Sequence, residues 1–382
     1  MKKRTKITLR TKIYLTIVGL LALTGVFYAA NPTPFTGGVP FPTGVAAAPD
    51  LLLVSEYCSQ NIDTVACNGA VTLFATLPGF GSCQEKYMAI APSQSGPPNN
   101  TFTPRDVFVT QGPNLFKIHQ GAVTPFATLG GCTSSDHNGI TFDHFGTFGF
   151  DLIVTCQEGS VFRVNGNGNA TQIASIFPPG EGDVEGPAVV PPGFGPNGDS
   201  IWVADEVNNA VHAIGPPPTY TVTQNILSHV NTEGVYVIPN PQCTFCSGGA
   251  FFQAEQQLNQ LVWQYPLSDF IGLGGNVILT SESGVQGTDT SLVTVSGGSY
   301  VQSSFGPRPP GNDEGASFVD CAVPTATATS TPTATFTPTA TFTPTATFTP
   351  TPTPTATPTP TPTPTARPIP TPRPHPTPPP RP

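Results

Sequence analysis

"IWVADEVNNAVHAI", residues 201–214, is an apolar run that ends in two acids, turns through a Val-Asn-Asn segment and starts again. Read as chemistry, Asp205 and Glu206 are a carboxylate pair; read as architecture, they close the first strand of a hairpin with an Asn-rich turn. Recurrence decides between the two. The same ending, apolar residues running into a small residue and then an acid or amide, appears in "LLVSE" (52–56), "VFVTQ" (107–111), "LIVTCQ" (152–157), "FFQAE" (251–255) and "VILTSE" (277–282). Second apolar runs follow most of them: "NLFKI", "SVFRV", "AVHAI", "QLVWQY" and "SLVTV". Strand, turn, strand is the repeating unit.

A third piece recurs between these hairpins, opening on an acid or amide: "EKYMAIAP" (85–92), "NGITFD" (138–143), "EGPAVVP" (185–191), "EGVYVIP" (233–239) and "EGASFVD" (314–320). A variable fourth piece follows the hairpin, as in "TPFATL", "TQIASI" and "TQNILS". Four strands per unit, repeated about six times, predict an all-β fold of the β-propeller kind, six blades fitting best and five or seven remaining compatible. The marker residues Glu56, Gln111, Cys156, Asp205, Glu255 and Glu282 stand 55, 45, 49, 50 and 27 residues apart, so one blade is expected to be short or irregular. "EGASFVD" has no second strand after it; it is expected to serve as inner strand to the first blade, ahead of Leu51, closing the ring and removing its sheet edges.

Composition divides the chain into a leader (1–30), a linker (31–49), the propeller (50–321) and a low-complexity stalk (322–382). The leader sets Lys2, Lys3, Arg4, Lys6, Arg10 and Lys12 before an apolar segment, Ile13 to Ala30, which is the pattern of an export signal, either cleaved or kept as an anchor. Both outcomes export the rest to the cell surface or beyond, and an uncleaved segment would be its one link to a membrane. The stalk is nearly all Thr and Pro, with "TATFTP" placing Phe336, Phe342 and Phe348 in register. Proline at that density favours an extended, partly polyproline-II spacer, reaching roughly 180 Å at about 3.1 Å per residue.

All 23 acids lie in residues 31–321, against five bases there (Lys86, Arg105, Lys117, Arg163 and Arg308), a formal charge of −18 where the whole chain carries −9. That excludes nucleic acid as a natural partner and suits divalent cations, cationic ligands or plain solubility. The expected partner is an extracellular or cell-wall ligand, and the expected state is a monomer. Eight cysteines in an exported domain point to disulfides. Cys58 and Cys67 flank a turn they would staple, and Cys243 and Cys246 form a C-x-x-C; Cys83, Cys132, Cys156 and Cys321 cannot be paired from sequence.

In a propeller the inner strands line a central channel. Glu85, Asn138, Glu185, Glu233 and Glu314 would open them, and carboxylates converging there repel one another unless relieved by water or by a hard cation such as Ca²⁺ or Mg²⁺. The bland alternative is that each acid holds its own strand. His137 and His144 flank the Asn138 strand and are the candidates for acid or base work; His212, inside an apolar strand, reads as structural. No organic cofactor is indicated.

These motifs resemble known families. "IWVADEVNNAVHAI" is similar to the "VAD-x-x-N-x-x-V" core of NHL-repeat propellers. "EGP" (185–187) and "HNGITFD" (137–143) resemble metal-binding strands of the gluconolactonase and senescence-marker-protein family. That resemblance implies a six-bladed propeller in which Glu, Asn and Asp hold a divalent metal for lactone hydrolysis, Glu185 matching the Glu and Asn138 the Asn. No Asp-Gly strand here supplies the Asp, and "EGP" follows the Asn motif. Two functional readings stand: a binding or scaffold module displayed on a Thr-Pro stalk, and a metal-dependent, lactonase-like hydrolase with its site at the channel.

Overall fold

The opening stretch folds as a hairpin, with Trp202 opposite Ala213, Val203 opposite His212 and Asp205 opposite Ala210. Its turn ends on Asn209 at φ +54°, a left-handed conformation that Asn tolerates. The computed structural model describes residues 30–79, 83–93, 102–133, 137–178, 181–246, 248–282, 290–306 and 313–322. The expectations for the leader and for the stalk beyond Ala322 fall outside these residues. Among the described residues no helix is long and apolar enough to cross a membrane.

After β1 (Thr33–Thr36), the chain makes four up-and-down meanders in succession. They are β2 (Pro42–Ala48), β3 (Leu51–Glu56), β4 (Asn61–Val65) and β5 (Val71–Thr76); β6 (Met88–Ile90), β7 (Val107–Gln111), β8 (Asn114–His119) and β9 (Ala122–Thr128); β10 (Ile140–Phe142), β11 (Leu152–Thr155), β12 (Ser160–Val164) and β13 (Ala170–Ser175); and β14 (Val184–Val189), β15 (Ile201–Asp205), β16 (Ala210–Ile214) and β17 (Val222–Ser228). Then the order breaks. From β18 (Thr232–Val237) the chain first makes the hairpin β19 (Gly249–Glu255) and β20 (Leu261–Pro266). Only afterwards does it return through β21 (Val277–Ser281), β22 (Ser291–Ser296) and β23 (Ser299–Ser304) to pair β21 with β18. The β19–β20 hairpin is completed by the two ends of the domain, β24 (Asp313–Phe318) beside β19 and β1 beside β20.

Three expectations are corrected here. Residues 31–49 are not a linker, because β1 and β2 lie within them; the run Ala46, Ala47, Ala48 between prolines carries little apolar signal yet is buried throughout. The strand at 313–318 does not pair ahead of Leu51, since β2 already holds that place; it touches β2 through a single bridge, Ala47 to Val319, and pairs with β19. The interval of 27 residues before Glu282 marks no short blade, because "FFQAE" and "VILTSE" belong to different sheets.

The result is an all-β, propeller-like arrangement of four four-stranded sheets and one eight-stranded sheet, the latter joined by one parallel pair, Gly186 to Gly234. The inner strands contact one another in the ring order β2, β6, β10, β14, β18, β24 and back to β2. Among the described residues, five of six apolar clusters are shared by two neighbouring sheets, and the sixth lies between the two halves of the eight-stranded sheet. One packs Phe102, Phe108, Phe126 and Phe142 edge to face, and the cluster that returns from last sheet to first sets Phe35 and Phe252 against Val45, Leu52 and Val54. Second strands such as β3, β7, β11 and β15 are buried along almost their whole length, which is why they read as unbroken apolar runs, whereas the outer strands β17 and β23 are mostly exposed.

All eight cysteines are paired: Cys58 with Cys83, Cys67 with Cys246, Cys132 with Cys156 and Cys243 with Cys321. The turn staple between Cys58 and Cys67 is not made, and the C-x-x-C cysteines take separate distant partners, which leaves no thiol pair for redox or metal chemistry. Cys67 instead ties the β4–β5 turn to the loop before β19, across the seam where the ring closes.

Candidate functional site

Acids followed by glycine start three consecutive inner strands, β14, β18 and β24, and the glycine explains how close they come. A Cβ on Gly186 would lie 2.7 Å from the Gly234 Cα, and one on Gly315 would lie 2.6 Å from the Tyr87 ring. The strands can therefore converge only without side chains at these positions. The preceding residues, Glu185, Glu233 and Glu314, are each almost fully buried.

Their hub is Tyr87, which sequence reasoning passed over. Its hydroxyl stands 2.7 Å from Glu233 Oε1, 2.9 Å from Glu85 Oε2 and 3.2 Å from Glu185 Oε2. One hydroxyl donates one hydrogen and accepts two, so three carboxyl oxygens can surround it only if carboxylic acids among them donate in return. Burial and mutual repulsion supply those protons. Glu185 is pushed well above the ordinary carboxyl range by desolvation and by the charges of Glu233 and Glu85. Glu233 is pushed to about 8, chiefly by burial. Glu206, from the β15–β16 turn, is raised to about 9 by burial and by its hydrogen bond and repulsion with Glu282. Glu314 also acts on Tyr87, whose hydroxyl is held well above its ordinary value by burial first and then by these acids.

His137 provides the cluster's cation. Nε2 lies 2.7 Å from Asp183 Oδ1 and 3.5 Å from Glu185 Oε1, and Nδ1 lies 3.6 Å from Glu85 Oε2. Burial works against its charge, but the Asp183 hydrogen bond and the surrounding acids outweigh it and raise the imidazole to about 9. Lys86, fully buried beside them, donates to the carbonyls of Gln84 and Tyr57 at 2.7 and 3.0 Å, and burial lowers it to about 8.

Of the residues expected at the channel mouth, Glu85, Glu185 and Glu233 meet directly and Glu314 adjoins them electrostatically. Asn138 does not join them: its amide donates to Gly112 O at 2.6 Å and accepts from Gln157 N at 3.2 Å, so it ties loops together. The two candidate histidines are separated, His137 within the cluster and His144 beside Asp320 at 3.6 Å. The opening pair divides as well. Asp205 accepts from His212 Nε2 at 2.9 Å and from Asn208 N and Nδ2 at 3.1 and 2.8 Å. Burial pushes its carboxyl up, but these hydrogen bonds prevail and hold it below the ordinary value, so it is architectural. Its neighbour Glu206 belongs to the cluster.

Two sets, Glu85 with His137 and Glu185, and Asp183 with Glu185 and Glu206, bring one ligand atom apiece within 4.8 Å of one another. The first could hold a divalent metal as a carboxylate and imidazole site, once His137 has lost its proton, and the second as a site of carboxylates alone. They do not reproduce the Glu, Asn and Asp set that the family resemblance implies. Further along the same inner strands lies a cavity of about 450 Å³ walled by residues such as Ile90, Ile140, Phe142, Val189, Val235 and Phe318. Acids thus gather where the inner strands begin, and apolar side chains line the space where they end.

No protein-family model matches the chain, and no curated protein matches it. Solved structures are similar in fold. They include streptogramin B lyase (12% identity, 75% of this chain and 76% of that one, TM-score 0.44). A calcium-binding protein, regucalcin, from Agrobacterium tumefaciens also matches (11%, 72% and 78%, TM-score 0.40). So does a gluconolactonase from Xanthomonas campestris (12%, 72% and 89%, TM-score 0.37). The group whose motifs the sequence resembles is therefore among its structural neighbours, as a likeness of fold alone.

Proposed function

We propose that this chain is an exported propeller, six-bladed when the eight-stranded sheet is divided at its single Gly186–Gly234 contact, that serves as a binding or scaffold module at or beyond the cell surface on its Thr-Pro stalk. The observation that carries the reading is the pairing of all eight cysteines in four disulfides, an investment that persists in oxidising compartments. Binding is favoured over catalysis because Asn138 is committed to backbone groups, and because the acids at the channel already share protons with Tyr87 and face the His137 cation. The test is fractionation of producing cells with maleimide labelling. Exported protein should react only after denaturation and reduction, and a cytoplasmic, fully reduced protein would remove the reading.

A metal-dependent, lactonase-like hydrolase is the second reading, favoured by one observation: the Glu85, His137 and Glu185 ligand atoms lie within 4.8 Å of one another. A bound divalent ion would supply an activated water there, and Glu185 and Glu85 would orient it. Calorimetric titration of Ca²⁺, Mg²⁺, Mn²⁺ and Zn²⁺ into metal-stripped protein, with Glu185→Gln alongside, tests it. Micromolar binding lost in the variant, followed by turnover in a lactone and ester screen, would establish the hydrolase; absence of heat from every ion would end it.

A further inference from the structure

The cavity at the far ends of the inner strands is distinct in chemistry from the acidic cluster. Its volume, about 450 Å³, falls within the range of small-molecule sites, and residues from all six strands of the inner ring contribute to its wall. None of its lining residues is Lys or Arg; its one imidazole is His144 and its one carboxylate is Asp320.

Asp320 is fixed in place. Its backbone N–H donates to Ala47 O at 3.0 Å, its Oδ1 accepts from Ala322 N at 2.8 Å, and the next residue, Cys321, is disulfide-bonded to Cys243. Oδ2 faces His144 at 3.6 Å, longer than a hydrogen bond. A rigid carboxylate therefore sits at an apolar space whose other polar side chains include Thr141, Asn240 and Ser317, with the aromatic rings of Phe142, Phe145 and Tyr236 around it. Ring faces and a fixed carboxylate are the two elements that recognise an ammonium group. A neutral hydrophobe would leave Asp320 with only the His144 imidazole as a facing group, and an anion would meet both Asp320 and the −18 charge of residues 31–321.

We infer that this cavity is a binding site for a compact hydrophobic amine, its apolar body between the inner strands and its ammonium on Asp320. The inference rests on the binding-module reading and gives it a ligand class. It is tested by calorimetry on the full chain with three probes of one shape: 1-naphthylmethylamine, 1-naphthalenemethanol and 1-naphthoate. The amine should bind saturably at one site and most tightly. Asp320→Asn, which keeps the acceptor for Ala322 N, should weaken the amine about tenfold or more while leaving the alcohol unchanged. Thr141→Phe, which fills the cavity from β10, should abolish binding of both. Equal affinity for all three probes, or an amine affinity untouched by Asp320→Asn, overturns the inference. No saturable binding to a protein that fractionates to the cell surface with its disulfides intact also overturns it, and leaves the binding-module reading standing.

Discussion

The Tyr87 hydroxyl reaches Glu233 on the second inner strand beyond β10 at 2.7 Å, linking residues 146 apart in sequence through the middle of the ring. Tyr87→Phe removes the group around which three carboxyls arrange their protons. It should lower stability by about 1–3 kcal/mol at neutral pH, the usual cost of leaving buried polar groups without a partner. Guanidinium unfolding with the disulfides intact measures this, and an unchanged midpoint would show that the hub contributes nothing.

Alkaline pH should weaken the fold. Glu233 and Glu206 are raised to about 8 and 9, and His137 to about 9. In each case the folded state holds its proton more tightly than the unfolded chain. The stability this provides is complete below the unfolded pKa, near 4.5 for the acids and 6.5 for the imidazole, and is lost as pH rises through the folded values. Lys86, lowered to about 8, has the opposite sign and opposes the trend only above that pH. Denaturation midpoints at pH 5, 6.5 and 8 should fall in that order, and less steeply in Glu206→Gln. A midpoint that climbs with pH contradicts the protonated cluster.

Gly186→Ala places a methyl carbon 2.7 Å from the Gly234 Cα, where backbone rather than a flexible side chain must yield. A loss of about 1–3 kcal/mol is expected, as for overpacked cores. Gly193→Ala would meet no neighbouring atom but sits at φ +75°, so its loss should come from backbone strain alone and be the smaller of the two. Thermal unfolding of the pair separates crowding from conformation.

The disulfides should differ in worth by the length of chain they enclose. Cys67 and Cys246 are 179 residues apart, and Cys132 and Cys156 only 24. The chain-entropy model then makes removal of the first, by paired Cys→Ser changes, costlier by about 2 kcal/mol. Equal losses in chemical denaturation would show that local native contacts, and not chain entropy, set the contribution.

Much of the architecture was legible because β3, β7, β11 and β15 are covered on both faces and must be apolar throughout, while the acid-led inner strands repeat with them. β2 escaped because alanine fills its place in the ring without an apolar signature. The exchange of β19–β20 and β21 escaped for a different reason: reading along a chain assumes that successive hairpins share or neighbour a sheet, and nothing in "FFQAE" or "VILTSE" encodes which inner strand each will meet. At the site, Glu85, Glu185 and Glu233 were found from their repeat. Tyr87 and Asp183 were not, although each lies two residues from a marked acid, because their contacts run across the ring and leave no period; Glu206 was noticed, but its recurring place at a strand end made it read as architecture. Asn138 stands apart from the acids because its amide ties loops together, and in one dimension such an amide looks like one that awaits an ion.

The closing sheet imposes a schedule on synthesis. Its hairpin, β19–β20, is made by residue 266, and β1 has long been available to it, but the strand that covers β19 ends only at Phe318. Throughout that interval the growing chain carries a long apolar strand edge with nothing beside it, the kind of edge that recruits other chains. A chain stopped short of Asp313 would keep that edge for good, so completion of the last strand separates a sealed ring from a self-associating one.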